Sequence, residues 1–210
     1  MHISDGVLPT TVTAVSLAAS GGLFIWSLRG IKDRDIPKAA LMTTTVFVAA
    51  LIHIPLGPTS VHLLLSGLAG ILLGRGAFAS ITIALLLQSL LFQFGGLTAI
   101  GANSLIMALP ALVAGWAFHL ILRLQSRCLS PLLPSLAGGA AAFAANLLAA
   151  LLLALFLWIS GEQFHEVALL AFSSQIPVAA IETLLTGFMA GFIMKVKPEL
   201  LARQSWRERQ

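Results

Sequence analysis

The chain has 210 residues, 58% of them hydrophobic and 10% charged, with a formal net charge of +4. A soluble domain is about half apolar and about a quarter charged, so this much apolar side chain cannot hide in an aqueous core; the composition excludes a soluble protein and requires an integral membrane one. The basic excess does not mark a nucleic-acid binder, because Lys and Arg fall beside apolar runs rather than in one patch.

Crossing roughly 30 Å of hydrocarbon takes about 20 apolar residues, and seven stretches approach that length. The first runs from about Pro9 to Leu28, with Pro9 suited to a first helical position. The second covers Ile36 to about Ile54. The third, Ser60 to Leu73, is short, and either tilts less or begins below the membrane surface beside a cavity. The fourth covers Ala77 to Phe92, the fifth Ala102 to Leu124, the sixth Leu133 to Ser160 and the seventh Ser174 to Met194. The expectation is an all-α membrane protein, a bundle of seven transmembrane helices forming one domain over residues 1–210. Ridges of small residues four apart (Ala14, Ala18, Gly22; Ser66, Gly70, Gly74; Ala137, Ala141, Ala145, Ala149; Gly187, Gly191) let helices approach closely in lipid, inside the bundle or against a membrane partner.

The connections set the orientation. Arg29, Lys32, Arg34 and Lys38 flank the first connection, Arg75 the third, Arg123 and Arg127 the fifth, and Lys195, Lys197, Arg203, Arg207 and Arg209 form a basic tail over residues 195–210. These are all 12 basic residues, and seven spans put every one on the same side. The N-terminus is therefore expected outside and the C-terminus in the cytoplasm, in a multi-pass protein of the cell membrane. His62, Asn103 and Gln175 then begin their spans at the outer face, within reach of residues 1–8. A cleaved signal peptide is not expected, because no Lys or Arg precedes Arg29.

The chemistry concentrates at the amino end. With His2 next to a terminal amine, the Met1 amine, the His2 backbone nitrogen and the His2 Nδ1 close two fused chelate rings on one ion, and residues 1–8 become a metal-chelating segment. Nitrogen ligands in a tetragonal set favour Ni(II) or Cu(II), and one more nitrogen completes a square. Amine and amide must both lose a proton, so binding weakens in acid. The single cysteine, Cys128, rules out a cysteine-based zinc site and an intramolecular disulfide.

Three ordered segments carry a resemblance: Met1-His2-Ile3-Ser4-Asp5-Gly6-Val7-Leu8-Pro9, Gly57-Pro58-Thr59-Ser60-Val61-His62-Leu63, and Gly95-Gly96-Leu97-Thr98-Ala99-Ile100-Gly101-Ala102-Asn103. The chain resembles the cobalt/nickel substrate-binding membrane components (CbiM/NikM type) of energy-coupling-factor transporters. The resemblance implies that Met1 and His2 bind the metal through amine, amide and imidazole, and that His62 supplies the remaining nitrogen. It implies Ni(II) or Co(II) as transported substrate and no organic cofactor. It also implies partners: a transmembrane coupling subunit, two cytoplasmic ATPase subunits and, often, a small auxiliary membrane subunit. The His62 segment is closer to the nickel branch, in that no proline follows the histidine. Two departures stand out. Gln175-Ile176-Pro177 replaces a His-x-Pro pattern, and Ile181-Glu182-Thr183 replaces Ile-Glu-Gly.

Several polar residues have two readings. Asn103 either orients the amino end or His62, as outer hydrogen-bonding groups do, or caps a helix. Ser60 and Thr59 are outer-shell donors or caps of the third helix. Asp5 pins the terminal loop or caps the first helix. Glu182, well inside a span, is expected to bond Gln88 or Asn146. His53 reads as an interfacial histidine and His165 as a residue of an outer loop.

Two other function classes find no support in the sequence. An intramembrane enzyme lacks support, since neither Gly-x-Ser-x-Gly nor His-Glu-x-x-His occurs. A bis-histidine haem protein using His53 and His119 places its ligands at opposite ends of the membrane. No Gly-x-x-x-x-Gly-Lys-Ser/Thr occurs either, so the expected role is a transporter subunit without an ATPase site of its own, not an enzyme.

Overall fold

The computed structural model describes residues 2–56, 59–124 and 132–201, with the backbone alone for strand residues 53–56 and 59–61. Among these, seven α-helices form the bundle: α1 (Thr10–Leu28), α2 (Ile36–Leu51), α3 (Ser66–Leu73), α4 (Gly76–Phe92), α5 (Ile100–Leu124), α6 (Leu133–Ile159) and α7 (His165–Val196). Two short strands, β1 (His53–Leu56) and β2 (Thr59–His62), pair antiparallel between α2 and α3, with His53 opposite His62. Helices α1, α5, α6 and α7 are long and apolar enough to cross a membrane.

Burial follows the logic of lipid rather than water. The buried residues of α1 are Ser16, Ser20 and Ser27, while Val15, Leu17, Ile25 and Trp26 face outward. Along α6, Ala137, Ala141, Ala145 and Ala149 are buried and Leu136, Phe143, Leu147, Leu151 and Leu155 exposed. Lipid tails solvate leucine as well as another leucine does, so helix contacts are made by small residues that let backbones approach. Three of the four small-residue ridges serve the bundle itself. Gly187 packs on Ser135 and Gly139 of α6, Gly70 packs on Ala111 and Gly115 of α5, and Ala137, Ala141, Ala145 and Ala149 are all buried. The Ala14–Ala18–Gly22 ridge of α1 is exposed.

The third apolar stretch differs from its expected form. Residues 59–62 are strand, and helix begins only at Ser66. Leu65, at φ 50°, turns the chain from one to the other. At 1.5 Å per residue α3 is about 12 Å long, far short of the hydrocarbon thickness. Residues 66–71 are all buried, enclosed by α4, α5, α6 and α7. Helix α7 begins nine residues earlier than expected, so His165 opens the helix, stacked on Trp158 at 3.8 Å, rather than sitting in a loop.

A Cβ on Gly70 would overlap the Ala111 carbonyl, whereas one on Gly22 would meet nothing within 4 Å. Gly70→Ala is expected to cost about 1–3 kcal/mol by overpacking, and Gly22→Ala to leave stability unchanged or slightly raised. Thermal unfolding in detergent measures both, and equal melting temperatures would refute the packing at the α3–α5 contact.

Candidate metal centre

Residues 2–8 fold back over the end of the bundle where α1 and α5 begin. Ile3 is the plug, 2% exposed and packed in the main core cluster with Leu64, Leu65, Ile106 and Met107 among others. Its main chain is clamped by one side chain. Asn103 Oδ1 accepts the Ile3 N–H at 2.9 Å, and Asn103 Nδ2 donates to the Ile3 carbonyl at 3.0 Å. A primary amide presents one acceptor and one donor side by side, as a neighbouring strand would. Asn103 lies in the first turn of α5 and orients the amino end.

Asp5 makes the second anchor. Its Oδ1 accepts from the Thr98 hydroxyl, from the Thr98 N–H at 2.9 Å and from the Ala99 N–H at 3.4 Å. The Thr98 hydroxyl first, and the loop amides with it, hold the Asp5 carboxyl below its ordinary range, against an opposing push from desolvation. Gly95 and Gly96 form the seat. Both have positive φ, 86° and 120°, which glycine alone adopts without strain. A Cβ on Gly95 would lie 3.3 Å from the His2 Cβ and 3.0 Å from Asn103 Nδ2, and one on Gly96 would strike the Asp5 carboxylate.

These contacts bring His2 against His62. The two rings stack with centroids 4.9 Å apart and planes 22° from parallel. His62, at the end of β2, is 1% exposed. Its Nδ1 lies 3.2 Å from the Leu63 carbonyl. A carbonyl only accepts, so a hydrogen bond at that contact requires the proton on Nδ1. Among the described residues no group of three or more His, Cys, Asp or Glu side chains assembles.

Behind His62 stands Glu182 of α7, 0% exposed. Its Oε1 accepts the N–H groups of Leu64 and, at 3.0 Å, Leu65, and its Oε2 accepts from Asn146 Nδ2 at 2.9 Å. The carboxylate thus fixes the two peptide units that follow the His62 segment. Of the two expected partners of Glu182, the structure selects Asn146. Gln88 is buried elsewhere on α4, with neither amide atom bonded among the described residues. Gln175, in the departed His-x-Pro position, is also buried.

Of the five residues singled out for the site, His2, His62 and Asn103 converge. Met1 lies outside the described residues, as does the side chain of Ser60, whose backbone pairs with Pro55 in the hairpin. Sequence reasoning missed the bonds from Glu182 to Leu64 and Leu65, which join positions 118 and 117 residues apart. No local pattern signals such a pairing. Gly95 and Gly96 were legible as the start of the third ordered segment, and not as a seat for His2 and Asp5.

A helical membrane bundle with its amino end folded onto a buried histidine defines a class that comparison with known proteins identifies. Over its whole length the chain matches a crystal structure described as a transition metal transporter, with a TM-score of 0.72, 26% identity and 100% of both chains covered. It is 35% identical over 97% of its length to 98% of a Haemophilus influenzae protein provisionally named a metal transport protein. It is 30% identical to the fused nickel transport protein NikMN of Rhodobacter capsulatus, over 96% of this chain and 64% of that one. To the cobalt transport protein CbiM of Sorangium cellulosum it is 31% identical, over 97% of this chain and 95% of that one. The class is that of membrane components of cobalt and nickel uptake. Residues 2–200 match the cobalt uptake substrate-specific transmembrane region, CbiM, and the chain belongs to that family.

Two expectations test the anchors. The carboxyl of Asp5 is held down in the folded state, so its contribution to docking residues 2–8 is present above the unfolded value of about 3.9 and lost as pH falls through the lower folded value. A nitroxide on exposed Ser4 is expected to gain mobility over that window, and Asp5→Asn to abolish the pH dependence; a label equally mobile at neutral and acid pH would refute the anchor. Glu182→Ala leaves three buried donors without their acceptor and is expected to cost about 3 kcal/mol or more, with Glu182→Gln costing less because it keeps an acceptor for the two amides. Chemical or thermal denaturation orders the two variants, and a reversed order would contradict the cap.

Proposed function

We propose that the protein is the substrate-binding membrane subunit of an ATP-driven energy-coupling-factor importer for Ni(II) or Co(II). Four nitrogens hold the ion: the Met1 amine, the His2 backbone nitrogen, the His2 Nδ1 and the His62 Nε2. The observation that carries the reading is the approach of His2 to buried His62 at 4.9 Å, on a segment clamped by Asn103 and Asp5. With metal–nitrogen bonds of about 2 Å, two imidazoles at right angles on one ion have ring centres roughly 4.5 Å apart, close to the separation seen. The Leu63 carbonyl favours the His62 tautomer whose Nε2 is a ligand. Side chains alone do not supply a full set among the described residues, which suits a site completed by main-chain nitrogen.

In this reading residues 1–8 are the chelating segment and face the outside of the cytoplasmic membrane, and the basic tail over 195–210 faces the cytoplasm. The family membership and the names of the nickel and cobalt relatives support the substrate pair. A transmembrane coupling subunit and two cytoplasmic ATPase subunits, with a small auxiliary membrane subunit, would convert ATP hydrolysis into the reorientation that releases the ion. This chain contributes capture, and no ATPase chemistry.

Calorimetry with Ni(II) and Co(II) on untagged protein, its Met1 verified by intact mass, tests the reading. Loss of an outer-shell partner costs about 10–100-fold in metal affinity, so His2→Ala and His62→Ala are each expected to cost more than about 100-fold. Blocking the α-amine should abolish binding with the fold intact, and affinity should fall as the pH drops below about 7.7–8.0, where the amine holds its proton. Tight binding by an amine-blocked protein would sink the four-nitrogen site.

A further inference from the structure

At the opposite end of the bundle, where α1 and α5 finish and α2 begins, lies a cavity of about 640 Å³. Five cations line it, Lys32, Arg34, Lys38, Arg75 and Arg123, against two carboxylates, those of Asp35 and Glu199. Its inner wall is apolar and includes Ile71 and Leu72. We propose that this cavity binds the phosphate of an anionic phospholipid headgroup.

The cations converge from four separate parts of the chain, and the bundle holds two of them inward. Lys38 is partly buried and spends one N–H on the Leu72 carbonyl at 2.9 Å, leaving two ammonium donors. Arg75 stacks its guanidinium over Trp26, 4.2 Å from the ring centroid, and gives Nη2 to the Trp26 carbonyl at 2.9 Å. That pose fixes the plane of the guanidinium. Its Nε is buried with no acceptor among the described residues. A Cβ on Gly30 would come within 3.1 Å of that Nε, so a larger residue at position 30, itself a wall of the cavity, would press over this edge of the fork. A guanidinium held in one plane and an ammonium lining the same cavity are a chemistry that selects phosphate oxygens.

The surroundings select a lipid as the source. Trp26 and Leu28 are each 42% exposed in the last turn of α1, an interfacial aromatic beside an apolar surface, at the level where headgroups lie. An amphiphile can set its glycerol against Ile71 and Leu72 while its phosphate meets the cations. A zwitterionic headgroup would bring its own ammonium into a cavity with a cationic excess, so an anionic one is preferred. Basic pockets between membrane helices recognise headgroups in this way.

Native mass spectrometry of the full chain, released from detergent with equal phosphatidylglycerol and phosphatidylcholine, tests the proposal without reference to metal. Phosphatidylglycerol adducts are expected to exceed phosphatidylcholine adducts about tenfold. Lys38→Gln, which removes a cation, and Gly30→Leu, which covers the Arg75 edge and removes none, should each abolish most of that preference. Glu199→Gln should raise it, an outcome that misfolding does not produce. Equal retention of the two lipids, or a preference that survives both Lys38→Gln and Gly30→Leu, would overturn the proposal. Stabilisation of the detergent-solubilised protein by inorganic phosphate, lost in Lys38→Gln and unaccompanied by lipid preference, would overturn the lipid as source and assign the site to free phosphate.

Discussion

The interaction on which the site depends is the one between the Glu182 carboxylate and the main chain at Leu64 and Leu65. The chain there leaves a strand, turns through a left-handed leucine and enters a short helix wholly surrounded by other helices. Peptide N–H groups exposed by such a turn have no water to bond inside a membrane protein, and each would cost several kcal/mol if left alone. A carboxylate from α7 takes two of them and is steadied from α6 by Asn146. Two helices distant in sequence, α6 and α7, are thereby tied to the segment that presents His62. A neutral side chain with a single acceptor would leave Asn146 or a peptide group without its partner.

The amino end meets this fixed histidine by a different device. Ile3 supplies burial, Asn103 supplies strand-like hydrogen bonds, and Asp5 draws the following residues onto the loop at Thr98. None of these three needs a metal. The described segment is therefore ordered by these contacts alone, and the cost of ordering residues 2–8 falls on folding. Gly95 and Gly96 make this possible by being narrow. Any larger residue would hold His2 or Asp5 away from the bundle, and with it the approach of the two imidazoles.

The long helices were legible in the sequence because each is an apolar run of membrane length bounded by charge or proline, and composition alone decides that a chain so apolar lives in lipid. The start of α3 was not. Ser60 to Leu73 is as apolar as a helix, and only tertiary contacts convert its first residues into a hairpin and a turn. His2, His62 and Asn103 stood out because their segments form an ordered set. The Glu182 cap did not, since its partners are backbone amides that carry no residue signature. The pairing of Asn103 with Ile3 was visible as one of two roles for an asparagine near a helix start, and geometry decided between them.

The two ends of the bundle carry opposite charge, and this asymmetry has consequences for what each can attract. The basic residues gather at the cavity between Lys38, Arg75 and Arg123. The histidine end bears Asp5, and the turn into α7 bears Glu162 and Glu166. Helix α5, 25 residues long, separates the ends by about 37 Å at 1.5 Å per residue, several Debye lengths at physiological ionic strength. The cationic cavity therefore lies far from the paired histidines, whose own end carries the acidic side chains.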